Sequence, residues 1–322
     1  MTRVLAYQHG IYPRSEGVVA ATRDLERGRT TDDAVAEAFG QDEAAFVEVQ
    51  RKAGLDLFSD GLLRWHDIFR PLVHASEGMS ARSLVRWFDN NSFFRAPELE
   101  GAVAPIDGGA VPLAIAPDVP APRVATLPSP YLFSRAAHVA PDRDRDTLIG
   151  ELTAALLTPV ATEAIDRGAE VIHLQEPWLP YFGIDDGSWP AFEQALSSLH
   201  DAAAGRASVI LHLPFGDVGP YAERLRRLPV DAVGIDFVET DLDALGTGWD
   251  TGVLAGCIDG RRSLVESPEE VAAFVEKVAG AMEPSTLYLS STCELEVLGT
   301  AVAERKVLAL GEAAAIVRED LR

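Results

Sequence analysis

Short apolar runs and amphipathic stretches alternate along the chain. Eight of the runs are rich in strand-forming residues and are bounded by glycine, proline or polar residues, which is typical of strands buried in a parallel sheet. The predicted strands span residues 4–7, 55–59, 124–127, 171–174, 209–213, 232–237, 253–258 and 287–291.

Amphipathic stretches with helical periodicity lie between these strands. The clearest span residues 146–168, 189–205, 267–282 and 298–317, and several begin at Ser, Asp or Thr and end at Gly. These residues are common helix caps. Strands separated by helices pair in parallel through right-handed crossovers. Eight such units predict an α/β fold of the TIM (β/α)8-barrel type, formed by residues 1–322 as a single domain.

Two parts of the chain depart from an even spacing of strands. Between the first two predicted strands, residues 30–39 and 41–54 predict two helices. Residues 92–122 alternate apolar and small residues with Gly and Pro, and they predict a hairpin excursion before the third strand.

Composition narrows the classes of protein to consider. The 322 residues are 47% hydrophobic and carry a formal net charge of −22, so nucleic acid and anionic lipid would be repelled. The sequence has no apolar run of about 18 residues and no signal-peptide pattern at its N-terminus. Its two cysteines do not make a disulfide framework, which fits a reducing compartment. We therefore expect a cytoplasmic protein with neither a membrane nor a nucleic-acid partner.

Chemically versatile residues cluster at the predicted strand ends, where barrel enzymes place their active sites. His212 ends the fifth strand, Asp236 and Glu239 end the sixth, and Cys293 follows the eighth. Imidazole, carboxylate and thiolate are zinc ligands, and three of them leave one position open for a thiol substrate. Each residue also has a structural interpretation, as a hydrogen-bonded histidine, a helix-capping carboxylate or a small buried cysteine. The residues alone leave both interpretations open.

The order of several motifs resembles the catalytic domain of cobalamin-independent methionine synthases. HGIYPRS resembles that family's Gly-Ser/Thr-Phe/Tyr-Pro-Arg segment, and VIHLQEPWL resembles its strand ending in Asp-Glu-Pro. SVILHLPFGD falls where the family has H-x-C, and LYLSSTCELEVLG where it has P-D-C-G-L. The segments GLDLFSDGLLRWHDIF, DAVGIDFVET and LAGCIDGRRSLVES also match in order, so the resemblance covers nearly the whole chain.

The resemblance implies a set of metal ligands that this chain keeps only in part. His212 and Cys293 match the family's zinc-binding histidine and second cysteine. The first cysteine is replaced by Pro214, which cannot coordinate a metal, and the glutamate position falls on Asp236, with Glu239 as a substitute. The implied zinc site is therefore His212, Cys293 and Asp236 or Glu239.

The resemblance also implies the substrate site and its departures from the family. Tyr12, Arg14, Gln175 and Glu176 are the predicted substrate-binding residues, and Asp259 and Arg261 are the predicted catalytic ones. The residues at positions 11, 62 and 175 differ from the family, which has a small hydroxyl residue, a glutamate and an aspartate where this chain has Ile, Leu and Gln. Arg14 could clamp an anion or only pair with a carboxylate. The loss of amine-binding carboxylates suggests a substrate without an α-amino group, or one held differently.

Three functions follow from this resemblance. The first is a zinc-dependent methyltransferase that acts on a homocysteine-type thiol, with a corrinoid protein or a folate as methyl donor. The second is a metal-free lyase or decarboxylase of the same superfamily, in which His212, Arg14, Arg261 and Asp259 would do acid–base and anion-binding work. The third is a non-catalytic barrel that serves as a binding module.

Overall fold

A curled parallel sheet of seven strands forms the centre of the molecule. The computed structural model describes residues 2–88, 90–104 and 115–321. Its nine strands are β1 Arg3–Ala6, β2 Met79–Arg86, β3 Phe93–Leu99, β4 Arg123–Pro128, β5 Ala169–Gln175, β6 Ser208–Leu213, β7 Ala232–Asp236, β8 Gly252–Ile258 and β9 Thr286–Ser291. The seven-stranded sheet runs in the order β1-β9-β8-β7-β6-β5-β4, and all of its neighbouring strands are parallel. The predicted α/β class and seven of the eight predicted strands are confirmed.

The remaining predicted strand, residues 55–59, forms no extended ladder. The N–H of Asp56 donates to the carbonyl of Ala6 at 2.9 Å, and Phe58 makes one isolated parallel bridge to Arg123. The segment therefore lies between the two edge strands, β1 and β4. The Asp56 carboxylate itself accepts a hydrogen bond from the Ala6 N–H at 2.6 Å. Because a side chain takes the place of a backbone acceptor, the ladder is interrupted, and the prediction of a regular strand here was wrong.

Eleven α-helices in the described residues connect these strands. They are α1 Glu16–Glu26, α2 Asp32–Ala53, α3 Arg70–Ala75, α4 Pro130–Ala136, α5 Arg145–Leu152, α6 Thr158–Asp166, α7 Trp178–Phe182, α8 Trp189–Ala203, α9 Ala222–Leu225, α10 Pro268–Met282 and α11 Thr300–Asp320. Helix α2 is continuous where the sequence predicted two helices. It begins at the cap Thr31 and ends at Gly54, whose φ is +67°. Gly40 costs the helix only about 1 kcal/mol, and no proline interrupts it.

Helices α5 and α6 are joined by the π-helical turn Thr153–Leu157 into one helix, Arg145–Asp166. This helix is long and apolar enough to cross a membrane by length and composition. However, 61% of its most apolar 18-residue window is buried inside the protein. Buried core helices meet the same criterion, so the helix is weak evidence for a membrane span.

Strands β2 and β3 form an antiparallel pair ahead of β4. The predicted excursion at 92–122 contains β3, but its partner β2 lies upstream of that range, and residues 105–114 lie outside the described part of the chain. Most side chains of β2 are exposed. Because neither face of β2 is buried along its length, its sequence lacks the apolar alternation that identifies a half-buried strand.

The concave face of the sheet carries two successive layers of side chains. Alternate strand residues form an enclosed apolar cluster there, made of Tyr7, Leu57, Val124, Val171, Ile210, Ala232, Leu254 and Tyr288. Successive side chains of a strand point to opposite faces, so the residues two positions further along point inward as well. That next layer is polar, and it contains the candidate site.

Candidate active site

Three histidines form the centre of the polar layer. His9 lies two residues beyond Tyr7, His173 two beyond Val171, and His212 two beyond Ile210. Their relative exposures are 1%, 0% and 0%, and one ligand atom from each lies within 4.8 Å of the others. The His9 and His173 rings stack at 4.1 Å between centroids, and the His212 ring meets both edge-on.

Gly234 on the neighbouring strand β7 provides the space for the His212 ring. A Cβ atom at position 234 would lie 2.7 Å from His212 Cδ2 and 3.0 Å from its Cβ. Real atoms do not approach so closely, so any side chain at position 234 would displace the imidazole. The glycine therefore belongs to the same layer as the histidines.

Burial keeps the three imidazoles neutral. It lowers the pKa of His212 to about 3 and the pKa of His9 and of His173 well below the ordinary value. The neighbouring imidazoles lower the pKa of His9 and His173 further, because two cations cannot share this space. Neutral imidazole is the form that ligates metals.

The predicted acidic residues lie at the mouth of the sheet, around one guanidinium. Arg261 is 2.8 Å from Glu239, 3.6 Å from Asp259 and 3.7 Å from Asp236, measured between nitrogen and carboxylate oxygen. Burial raises the pKa of Asp236 to about 6, and the charge of Arg261 opposes that rise. The Asp236 carboxylate also accepts hydrogen bonds from the backbone N–H groups of Phe215 and Val238.

Cys293 is buried at the same mouth as an uncharged thiol. Its Sγ lies 3.5 Å from the backbone carbonyl of Glu294, and burial raises its pKa well above the ordinary value. Cys257 is also free, and burial raises its pKa to about 12.

Of the four predicted metal ligands, only His212 takes part in a compact donor group. Among the described residues, His9, His173 and His212 are the one set of three or more histidine, cysteine, aspartate or glutamate side chains with ligand atoms within 4.8 Å of one another. Asp236, Glu239 and Cys293 do not join it. The set implied by the resemblance stays a prediction.

Gln175 and Glu294 meet at the mouth beside Gly10. Burial raises the pKa of Glu294 to about 8, and a hydrogen bond from Gln175 opposes the rise. A Cβ on Gly10, whose φ is +70°, would lie 2.7 Å from Gln175 Nε2 and 2.8 Å from Glu294 Cβ. The glycine therefore permits the two polar side chains to pack against the first loop.

Glu176 directly follows Gln175 at the end of β5 and is also predicted to bind substrate. In the structure it is hydrogen-bonded to other parts of the protein. Its carboxylate accepts hydrogen bonds from the Ser129 hydroxyl, from the Leu132 N–H at 2.9 Å and from the Leu179 N–H at 2.9 Å. Burial raises its pKa to about 7. These contacts attach the first turns of α4 and α7 to the end of β5.

Tyr12 and Arg14 lie on the first loop, outside the histidine layer. The Tyr12 ring stacks on Phe46 of α2 at 4.0 Å between centroids. Arg14 donates from Nε to the Leu63 carbonyl at 2.8 Å and to the Trp65 carbonyl, and lies 4.0 Å from Glu296. In this structure Arg14 braces the neighbouring loop and lies near the Glu296 carboxylate, and its role in binding substrate stays a prediction.

Sequence reasoning assigned no role to His9, His173 or Glu294. The signal for the histidines was their spacing, because His173 precedes Gln175 by two residues and therefore shares its face. Glu294 directly follows Cys293, and the family pattern P-D-C-G-L has glycine at its position.

Comparisons with known proteins agree with this architecture. The B12-independent methionine synthase from Shewanella sp. W3-18-1, solved in complex with selenomethionine, superposes with a TM-score of 0.73 at 19% identity and covers 91% of both chains. A methyltransferase from Methanosarcina mazei superposes with a TM-score of 0.60 at 13% identity, covering 100% of this chain and 95% of that one. These likenesses establish the class of fold.

Sequence comparison gives the family. The family model described as "Cobalamin-independent synthase, N-terminal domain" matches residues 66–283. The methionine synthase of Saccharolobus solfataricus is 23% identical over 325 residues, covering 97% of this chain and 94% of that protein. The methionine synthase of Sulfolobus acidocaldarius is 24% identical, covering 97% and 92%. The chain belongs to the cobalamin-independent synthase family.

Proposed function

We propose that this protein transfers a methyl group to the sulfur of a homocysteine-type thiol. Family membership supports methyl transfer, and the curated relatives that match nearly end to end are named methionine synthases. The Shewanella structure was solved with selenomethionine, a selenium analogue of the product that such a transfer would yield.

One observation supports the proposal that the substrate has an α-amino group. The two carboxylates that the resemblance implies for amine binding are replaced by Leu62 and Gln175. Glu294 introduces a carboxylate beside Gln175, from the segment that follows β9. An ammonium group next to Glu294 would favour its ionised form and gain a charge-assisted hydrogen bond. Glu294 thus supplies the recognition that position 62 no longer can.

Zinc belongs to the activity that the resemblance implies, since a zinc-bound thiol has a lowered pKa and is the better nucleophile. The residues implied to hold it do not fit a divalent cation. Arg261 places a positive charge against Asp236 and Glu239, where the cation would have to bind. In the proposed reaction these side chains instead form the polar wall of the substrate site, with Asp259 holding Arg261.

Three further expectations belong to the same proposal. Residues 55–59, which lie between β1 and β4, would complete the barrel as its eighth segment. The methyl donor would be a methylated corrinoid protein or a folate. The reaction would take place in the cytoplasm.

The activity is tested with the full chain and L-homocysteine. Methionine is measured by mass spectrometry after incubation with methylcobalamin, with a methylated corrinoid protein or with methyltetrahydrofolate. Methionine formation with at least one donor is expected. If none of the donors yields methionine while homocysteine binds, the acceptor is bound for a different reaction and the proposal fails.

The role of Glu294 is tested by calorimetric binding of homocysteine and of 4-mercaptobutanoate, which lacks only the amino group. Homocysteine should bind at least about tenfold more tightly, and Glu294→Gln should remove that difference, because a charged hydrogen bond contributes about 1.5–3 kcal/mol. Glu269→Gln, at the exposed start of α10, is the matched control. Equal affinities for both thiols would exclude amine recognition.

A further inference from the structure

A buried lysine of the last helix contacts the loop that follows β8, residues 259–266. Lys306 lies on α11, and its side chain is inaccessible to solvent. Its Nζ is 2.6 Å from the Leu264 carbonyl oxygen and 2.9 and 2.8 Å from the two carboxylate oxygens of Glu266. An ammonium group has three donors, and these contacts use all of them. Because a buried charge is costly unless it is paired in this way, the folded state favours this one position of the loop.

Glu266 connects Lys306 to the first residue of the same loop. Its Oε1 accepts a hydrogen bond from the backbone N–H of Asp259 at 2.9 Å. The Asp259 carboxylate in turn accepts from the Arg261 N–H at 2.9 Å and lies 3.6 Å from Nε of the Arg261 guanidinium. The two ends of the loop are thereby held together and attached to α11, with Arg261 between them.

The loop packs directly against the segment that carries Cys293 and Glu294. A Cβ atom on Gly260 would lie 2.7 Å from Cys293 Sγ, 2.8 Å from the Cys293 carbonyl oxygen and 3.0 Å from the Glu294 carbonyl oxygen. The Gly260 N–H donates to Thr292 Oγ1 at 3.1 Å. No side chain fits at position 260, so the loop backbone itself covers the Cys293 thiol. The position of the loop therefore determines the surroundings of both Cys293 and Glu294.

Helix α11 makes a second ion pair at the opposite edge of the sheet. Arg318 pairs with Asp56 and donates from Nε to the Val4 carbonyl at 3.3 Å. Val4 lies near the start of β1, whereas the loop contacted by Lys306 follows the end of β8, and the two strands run parallel through β9. Arg318 thus attaches the same helix to the protein far from the mouth, and it provides a matched control for Lys306.

We propose that Lys306 is a positioning residue for the substrate site, holding the loop against Cys293 and Glu294 through Glu266 and Asp259. The inference rests on the proposed function, since it takes Arg261 and Glu294 as parts of the homocysteine site. Without the ammonium group, Glu266 loses its cation and the loop is released. Binding of homocysteine would then have to order the loop, and that ordering lowers the affinity.

The test compares Lys306→Met with Arg318→Met in the full chain. Because modification of a buried thiol requires local opening, Lys306→Met should raise the rate at which iodoacetamide modifies Cys293 at least about tenfold, followed by peptide mass spectrometry. It should also weaken homocysteine binding at least about tenfold by calorimetry, because the loop must be ordered on binding. In the methyl-transfer assay the KM for homocysteine should rise while the KM for the methyl donor stays unchanged. Arg318→Met should lower the free energy of unfolding and show none of these effects.

A double variant separates positioning from stability. Lys306→Met combined with Glu266→Met removes both charges, and replacing a buried ion pair by apolar side chains is often neutral for stability. The Asp259 N–H still lacks its acceptor, so Cys293 should stay more reactive and homocysteine binding weaker even where stability is recovered.

Two results would overturn the positioning role of Lys306. One is wild-type reactivity of Cys293 in Lys306→Met, and the other is recovery of both measurements together with stability in the double variant. A wild-type chain that binds no homocysteine would count against the proposed function alone. The Cys293 measurement needs no substrate, and it would then decide the role of Lys306 by itself.

Discussion

The histidine layer and the acidic mouth differ in how far their polar groups are already satisfied. Around Arg261 three carboxylates share one guanidinium, and Asp236 accepts two backbone hydrogen bonds besides. In the layer below, four imidazole nitrogens have no hydrogen-bond partner among the residues that the structure describes. A ligand-binding site needs uncommitted lone pairs, so residue type alone does not identify it. The mouth has the more reactive residue types, whereas the layer has the free donor atoms.

Arg261→Met is the change expected to disturb the mouth most. It leaves Asp236, which is fully buried, without its cation, and removing one member of a buried ion pair costs about 3–5 kcal/mol. Because Arg261 is partly exposed, we expect about 3 kcal/mol in the free energy of unfolding, measured by urea denaturation. Arg261→Lys, which keeps the charge, should lose less.

The pH dependence of this variant has a definite sign. The pKa of Asp236 is already raised to about 6, because burial favours the protonated carboxyl group over the ionised one. Burying Asp236 therefore destabilises the folded state more when the carboxyl group is ionised. Without Arg261 that pKa rises further. The stability lost in Arg261→Met should therefore be larger at pH 8 than at pH 5, and an equal loss at both would show that the ion pair is not its cause.

Gly234→Ala tests the histidine layer through its packing. The new methyl group would lie 2.7 Å from His212 Cδ2, and overpacking of a buried site typically costs about 1–3 kcal/mol. We expect a loss of about 2 kcal/mol in the free energy of unfolding, because the His212 ring must move. Gly280→Ala, in α10 where an added Cβ meets nothing, is the control and should stabilise slightly. Equal stability of Gly234→Ala and the wild type would show that position 234 accepts a side chain without displacing the His212 ring.

The contrast between the two regions explains how far the sequence could predict them. Apolar runs that alternate with amphipathic stretches predicted the parallel sheet, because the burial of a strand depends on its local composition. The prediction of a strand at 55–59 was wrong because the Asp56 carboxylate accepts the hydrogen bond of the Ala6 N–H, which a backbone carbonyl would accept in a regular ladder. No local sequence pattern reveals this contact. Asp236, Glu239 and Arg261 were found at strand ends, but their mutual pairing depends on distances between loops. In the sequence, His173 is one polar residue within an apolar strand. Its proximity to His9 and His212 depends on the packing of three separate segments of the chain, which the local sequence does not reveal.

Glu294→Gln is expected to have a smaller effect, and one that depends on pH. The pKa of Glu294 is raised to about 8 by burial, so the folded state holds this proton more tightly than the unfolded state. Stability is therefore lost as pH rises from about 4.5 to about 8. The variant cannot ionise, so at pH 8 it should be more stable than the wild type, with little difference at pH 4.5. A gain of the same size at both pH values would contradict a burial effect.

Arg262→Gln should have the smallest effect, although Arg262 contacts the same aspartate as its neighbour. Arg262 Nε is 3.4 Å from Asp259, but its side chain is 77% exposed, against 22% for Arg261. Water competes for an exposed ion pair, which is typically worth less than about 1 kcal/mol. We expect a change below about 0.5 kcal/mol in the free energy of unfolding, and one that disappears in 1 M salt because exposed pairs are screened. A loss in Arg262→Gln equal to that in Arg261→Met would mean that burial does not decide which of the two arginines matters at the mouth.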